Sequence, residues 1–244
     1  MSQGNRLFTV SIVASLALLV VSQAPAGVLV FADTEFADAD WIVDTVYSYG
    51  AGATLATAHS DTGGNPGACQ ITMGQLHAEP DVPSGIWRVY LDADAVLDPA
   101  TMEPLESASA AFDVIATGWG SPGAALRLIA RQDDQTYGTP WAQILPPRMG
   151  WIWDDVGLHF TATDLGLLQQ GDFDPLIQPD LSPTGAPLTF GFMLWQELAA
   201  GATEAEDTFA VGNWSIQLHL VPEPATSLSV LAAILLIRRR RAAY

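Results

Sequence analysis

Trp87-Arg88-Val89-Tyr90-Leu91 alternates along its length: Trp87, Val89 and Leu91 fall on one face, Arg88 and Tyr90 on the other. A period of two marks a strand, because successive side chains leave a strand on opposite sides. Leu126, Leu128 and Ala130 alternate in the same way with Arg127, Ile129 and Arg131, and Leu158, Phe160 and Ala162 with His159, Thr161 and Thr163. Further strands are expected at Ala68–Met73, Ala110–Thr117, Leu188–Trp195 and Phe209–Leu220. Turn chemistry separates them at Thr62–Gly67, Gly118–Gly123, Pro146-Pro147 and Ser182–Gly185. No apolar period of 3.6 is sustained beyond about ten residues. Short strands cut by Gly and Pro predict an all-β body, a single jelly-roll-like β-sandwich over residues 27–220. No internal repeat or linker divides it.

Charge narrows the partners. The 244 residues hold 27 acidic and nine basic side chains, and five of the basic ones, Arg6 and Arg238 to Arg241, lie outside the body. Between residues 27 and 221, four arginines face 26 acids, a net of −22 with no lysine. Such a body repels nucleic acid and anionic lipid surfaces. The single Cys69 excludes an internal disulfide.

Both ends read as targeting segments. Arg6 precedes the apolar stretch Leu7–Val21 and the small-residue pattern Ala24-Pro25-Ala26, the layout of a secretory signal peptide cut by signal peptidase after Ala26. At the other end stand Pro222-Glu223-Pro224, an apolar run to Ile237, and Arg238, Arg239, Arg240 and Arg241. The prolines stop the preceding strand and hold an extended segment open to a processing enzyme. The arginines stay on the cytoplasmic side. Residues 225–237 make roughly 20 Å of helix against a hydrocarbon core of ~30 Å, which suits a removable recognition tail with transient membrane association better than a permanent anchor.

Residues 221–244, with the Pro-Glu-Pro triplet, apolar segment and terminal Arg cluster in order, resemble the PEP-CTERM sorting signal of bacterial exported proteins. The resemblance implies export, processing by an exosortase-type transpeptidase, and delivery to the cell envelope or extracellular matrix beside exopolysaccharide. In the body, Phe31–Trp41, the Gly63-Gly64-Asn65-Pro66-Gly67 turn and the strand Phe209–Ile216 resemble jelly-roll modules of the galactose-binding and laminin-B-like kind. In those modules an aspartate in the late strand helps hold calcium. Gly212 takes its place here, so that ligand does not carry over.

Chemistry-bearing motifs are sparse. His59, His77, His159 and His219 form no zinc-type pattern, and no nucleophile elbow, phosphate loop or dinucleotide fingerprint is present. Asp133-Asp134 and Asp154-Asp155 are adjacent pairs whose side chains diverge in a strand, which makes poor catalytic dyads. The expected protein is therefore not an enzyme, with a secreted polysaccharide hydrolase as the remoter alternative. The nearer alternative is a carbohydrate-binding module, for which Trp141, Trp151 and Trp153 are candidate stacking platforms, the last two sharing a face if extended. No cofactor is expected beyond a structural calcium. Asp33, Glu35, Asp38 and Asp40 by the first strand, with Glu204, Glu206 and Asp207 before the last, are its candidate ligands if those strands are neighbours; Asp38, Asp40, Glu206 and Asp207 form the core of that set. Mass spectrometry of the exported protein should find a start near Gly27 and an end between Pro222 and Pro224. Retention of Arg238 to Arg241 in the mature form would refute tail processing.

Overall fold

Backbone pairing in the body is antiparallel throughout and organised by the last strand. The computed structural model describes residues 27–50, 52–119, 124–140, 143–145, 151–202 and 204–221. The signal segment with Ala24 and Ala26, the tail with Pro222, Glu223, Pro224 and Arg238 to Arg241, and Trp141 lie outside them. The strands are β1 (Val28–Asp33), β2 (Trp41–Tyr49), β3 (Gly52–Gly64), β4 (Gly67–His77), β5 (Ser84–Leu97), β6 (Leu105–Trp119) and β7 (Ala124–Gln132). They continue as β8 (Gln135–Gly138), β9 (Gln143–Leu145), β10 (Asp154–Thr161), β11 (Gly166–Gln169), β12 (Asp172–Asp174), β13 (Leu188–Leu198) and β14 (Ala205–Leu220). Among the described residues, no helix is long and apolar enough to cross a membrane.

Sheet A runs β10-β6-β14-β4-β3, with β1 also on β14. Sheet B runs β12-β11-β8-β7-β13-β5-β2, with β9 on β7. The two make the expected β-sandwich. β6 flanks one side of β14, while β4 takes Ala205–Val211 and β1 takes Trp214–His219 on the other. One expected strand ends early. The Asp164 carboxylate accepts from both the backbone N–H and the hydroxyl of Thr161, at 2.7 Å each, and Ala162–Asp164 turn as a 3₁₀ helix instead of extending β10.

The inner faces meet in an aromatic core. A bulge in β14 between Gly212 and Ser215, with Asn213 at φ 50°, sends Asn213 outward and Trp214 inward. Trp214 is fully buried against Trp41 (6.0 Å between ring centroids), Phe112 (5.6 Å) and Phe192 (5.7 Å). Buried indole N–H groups need acceptors, and Trp214 and Trp41 each find one on the opposite sheet. Trp214 Nε1 in sheet A donates to Asp92 of β5 at 3.2 Å, and Trp41 Nε1 in sheet B donates to Asp33 of β1 at 2.6 Å. The ladders pair the same four residues within each sheet, Asp33 with Trp214 and Asp92 with Trp41. Burial raises the Asp92 pKa, and the Trp214 hydrogen bond opposes the shift.

Tyr90 stacks on Phe192 of this core, its OH within hydrogen-bond reach of Thr72 and Thr57, and Arg88 Nη1 donates to the Leu55 carbonyl and the Thr57 hydroxyl. Trp214→Phe keeps most of the ring contact and leaves Asp92 Oδ2 without its indole donor. Urea unfolding followed by circular dichroism should show a loss of about 1–3 kcal/mol, against about 3–5 kcal/mol for Trp214→Ala.

Candidate functional site

Sheet B is apolar on both faces. Tyr90, Leu126, Leu128, Phe190 and Phe192 point into the sandwich, while Trp87, Val89, Leu91, Ile129 and Met193 form a second buried cluster on the outer side. The cause is curvature. The β11–β12 hairpin turns through Gln170 (φ 51°) and Gly171 (φ 91°) and comes up against Tyr47 of β2, at the far edge of the same sheet. A Cβ placed on Gly171 would stand 2.9 Å from Tyr47 Cε1, so glycine is needed for both the backbone angle and the approach. Leu168 and Phe173 of the hairpin then pack on the outer cluster.

Half-buried aromatic rings continue this face. Tyr47 lies 5.5 Å from Tyr49 and 6.0 Å from Trp87, and Trp87 lies 5.7 Å from Trp195. Burial, with the Glu197 carboxylate alongside, pushes the Tyr49 phenol up to about 12. Arg127 lies among these rings, its guanidinium carbon 5.9 Å from the Trp87 and Phe173 centroids. Along the edge, a cleft of about 470 Å³ is lined by Asp44, Arg131, Asp134, Gln135, Gln169 and Gln170 among others. Arg131 reaches Asp44 at 3.4 Å and Thr136 Oγ1 at 3.4 Å. Rings with apolar faces beside amides and carboxylates suit a ligand that is part apolar ring and part hydroxyl.

Trp151 and Trp153, singled out from sequence, lie elsewhere. Trp151, 48% exposed, and the half-buried Trp153 meet edge to face at 6.4 Å. Trp151 Nε1 reaches the Gly63 carbonyl at 3.5 Å, and Trp153 comes against Gly212 at the β14 bulge. On the outer side of that bulge, the Asn213 side-chain amide donates to Asp113 at 2.6 Å and to the Asn65 carbonyl. Asp155 is the cross-strand neighbour of Asp113. Burial raises the Asp113 pKa, Asp155 adds to the rise, and Asn213 opposes it.

The calcium candidates do not converge. β1 and β14 are neighbours, as that expectation requires, yet Asp33 pairs with Trp214. Glu206 and Asp207 lie seven or eight residues further down β14, about 23 Å or more away at strand rise, opposite Gln75 and Gly74. Asp207 is buried and accepts from Gln196 at 3.5 Å, while Asp38 and Asp40 stay in the β1–β2 loop. Asp33, Asp40, Asp92 and Asp94 line a separate cavity of about 300 Å³. Asp33 and Asp92 give one oxygen each there to an indole and the other to backbone N–H groups. Among the described residues, no three His, Cys, Asp or Glu side chains are placed to hold a metal.

No family model matches the sequence, and no curated protein matches it. Solved structures with a similar course include a carbohydrate-binding module from a study of promiscuous specificity in the β-sandwich superfamily (TM-score 0.38, 14% identity, 75% of this chain and 61% of that one). Another is a putative sugar binding protein from Bacteroides thetaiotaomicron (TM-score 0.37, 9% identity, 73% and 87%). A third is a carbohydrate binding module of Cellvibrio mixtus lichenase 5A in complex with cellotriose (TM-score 0.29, 14% identity, 72% and 95%). This chain thus spans less than two thirds of the first of these structures.

Two measurements check the geometry. The folded-state pKa of Asp113 is raised, so the stability linked to its proton is present at low pH and lost as pH rises through that value. Asp113→Asn can accept from Asn213 and donate to Asp155. It should raise the melting temperature at pH 7, by an amount that shrinks as the solution is acidified. Because the acidic groups stand apart, melting curves in matched sodium and calcium chloride should show the same calcium response for the native chain and for Asp38→Asn/Glu206→Gln.

Proposed function

We propose that this is a non-catalytic, exported carbohydrate-binding protein of the cell envelope or extracellular matrix, and that the outer face of sheet B holds the glycan. The observation behind this reading is the row of half-buried rings Tyr47, Tyr49 and Trp195, flanked by Glu197 and by the amide- and carboxylate-lined cleft. Sugar rings stack their C–H faces on aromatic surfaces, and their hydroxyls pair with side-chain amides and carboxylates. The terminal segments supply the address: signal peptidase at Ala26, then an exosortase-type transpeptidase at Pro222-Glu223-Pro224.

The exposed Trp151, edge to face with the Trp153 that lies against Gly212, supports a second platform on sheet A. Glycan-array binding of the full chain separates the two. Trp195→Ala should weaken binding by about 1–2 kcal/mol, roughly 5–30-fold, while Trp151→Ala leaves it unchanged. The reverse pattern would move the site to sheet A. Release of reducing ends from a polysaccharide panel would overturn the non-catalytic assignment.

A further inference from the structure

Arg127 is 8% exposed, and among the described residues no acceptor reaches its Nε or Nη1, both closed to solvent. The other described arginines have oxygen acceptors: Arg88 has Leu55 and Thr57, Arg131 has Asp44 and Thr136. Carboxylates are not scarce in a body with 26 acids to four arginines; among the described residues, none forms an ion pair with this one. A guanidinium does not escape the cost of burial by losing its proton. The rings of Trp87 and Phe173 offset part of that cost, yet an unpaired buried charge remains strongly unfavourable. A group kept at such a cost is poised to meet an anion.

We propose that Arg127 is the anion-binding residue of this face and that its partner is the carboxylate of a uronic acid in an acidic polysaccharide. The assignment rests on the carbohydrate reading and names the class of sugar. Pairing with a carboxylate supplies the missing acceptors through charge-assisted hydrogen bonds, while Trp195 and Tyr47, both packed on Trp87, offer ring faces on the same side of the sheet. Phe173, which covers the guanidinium, belongs to the three-residue edge strand β12. Entry therefore requires that the sheet edge give way and leaves the core intact. Long-range repulsion from the acidic body opposes a polyanion. Salt screens that repulsion more than it screens a buried pair, so binding should hold or strengthen as sodium chloride rises from low to physiological concentration.

The test is calorimetric titration of the full chain with trigalacturonate, its methyl ester and an oligoglutamate of equal charge. The acid should bind at least about tenfold more tightly than the ester, as expected for one charged hydrogen-bonded pair. That preference should vanish in Arg127→Met, with the circular dichroism spectrum retained. Equal binding of acid and ester by the native chain would overturn the role of Arg127 while leaving the carbohydrate reading intact, and this comparison needs no variant to fold. An acid preference that survives in folded Arg127→Met would also overturn it. Oligoglutamate binding as tightly as trigalacturonate would overturn the sugar as partner. Binding of neither sugar would remove the carbohydrate reading itself.

Discussion

Two tryptophans and two aspartates hold the sandwich in register. Trp214 and Trp41 each send an indole N–H across the core to a carboxylate on the other sheet, and each of those aspartates is the ladder neighbour of the other tryptophan. Hydrophobic area alone would let the sheets slide, since burial is nearly indifferent to direction. A buried hydrogen bond is not, because any displacement strands a donor and an acceptor away from water. Asp33 ties this arrangement to the chain course as well: its second oxygen accepts from the backbone N–H of Glu35 and Phe36 and shapes the turn that leads to Trp41. The β14 bulge belongs to the same device, because without the extra residue Trp214 would face solvent and Asn213 the core.

With the inner faces locked, sheet B can carry a second apolar layer. Curling brings the β11–β12 hairpin over to Tyr47 and covers Trp87, Val89, Ile129 and Met193, residues that a simple two-layer sandwich would leave wet. The outer face becomes a partly closed trough with a buried guanidinium among aromatic rings. On the outer face of sheet A the cross-strand neighbours Ile115 and Ala210 are buried as well, and Trp153 of the Trp151–Trp153 pair lies against Gly212 at the bulge.

Much of the fold was legible because alternation reports burial. The strands around Leu126–Arg131, Leu188–Trp195 and Phe209–Leu220 carry strong apolar sides and are where the sequence places them. β3, built from small and polar residues such as Thr54, Ala56, Thr57 and Ser60, sits at the edge of sheet A and shows little contrast between its faces. β8, β9, β11 and β12 are too short to display a period. The site was less legible for a different reason. Trp87-Arg88-Val89-Tyr90-Leu91 shows that Trp87 and Tyr90 part company, but not which side is the interior, and here both sides are buried. The alternation also put Arg127 on the side away from Leu126 and Leu128; its burial under Phe173 depends on a hairpin much later in the chain. Proximity of the first and last strands was a sound expectation, whereas the distance along β14 that separates Asp33 from Glu206 depends on register, which composition does not encode.

The place of β14 in sheet A has a consequence in time. It is the last of the described strands to be made, and β1, β4 and β6 all hydrogen-bond to it. Until it arrives, β1 and β6 have no common neighbour and the inner face of sheet A has no Trp214, so the N-terminal strands cannot complete sheet A by themselves. A ribosome or a narrow pore that releases this chain from its N-terminus therefore holds an unfinished sheet until the final strand is free. Contacts between residues far apart in sequence close slowly, so the pairing of β1 with β14 is among the late events of folding.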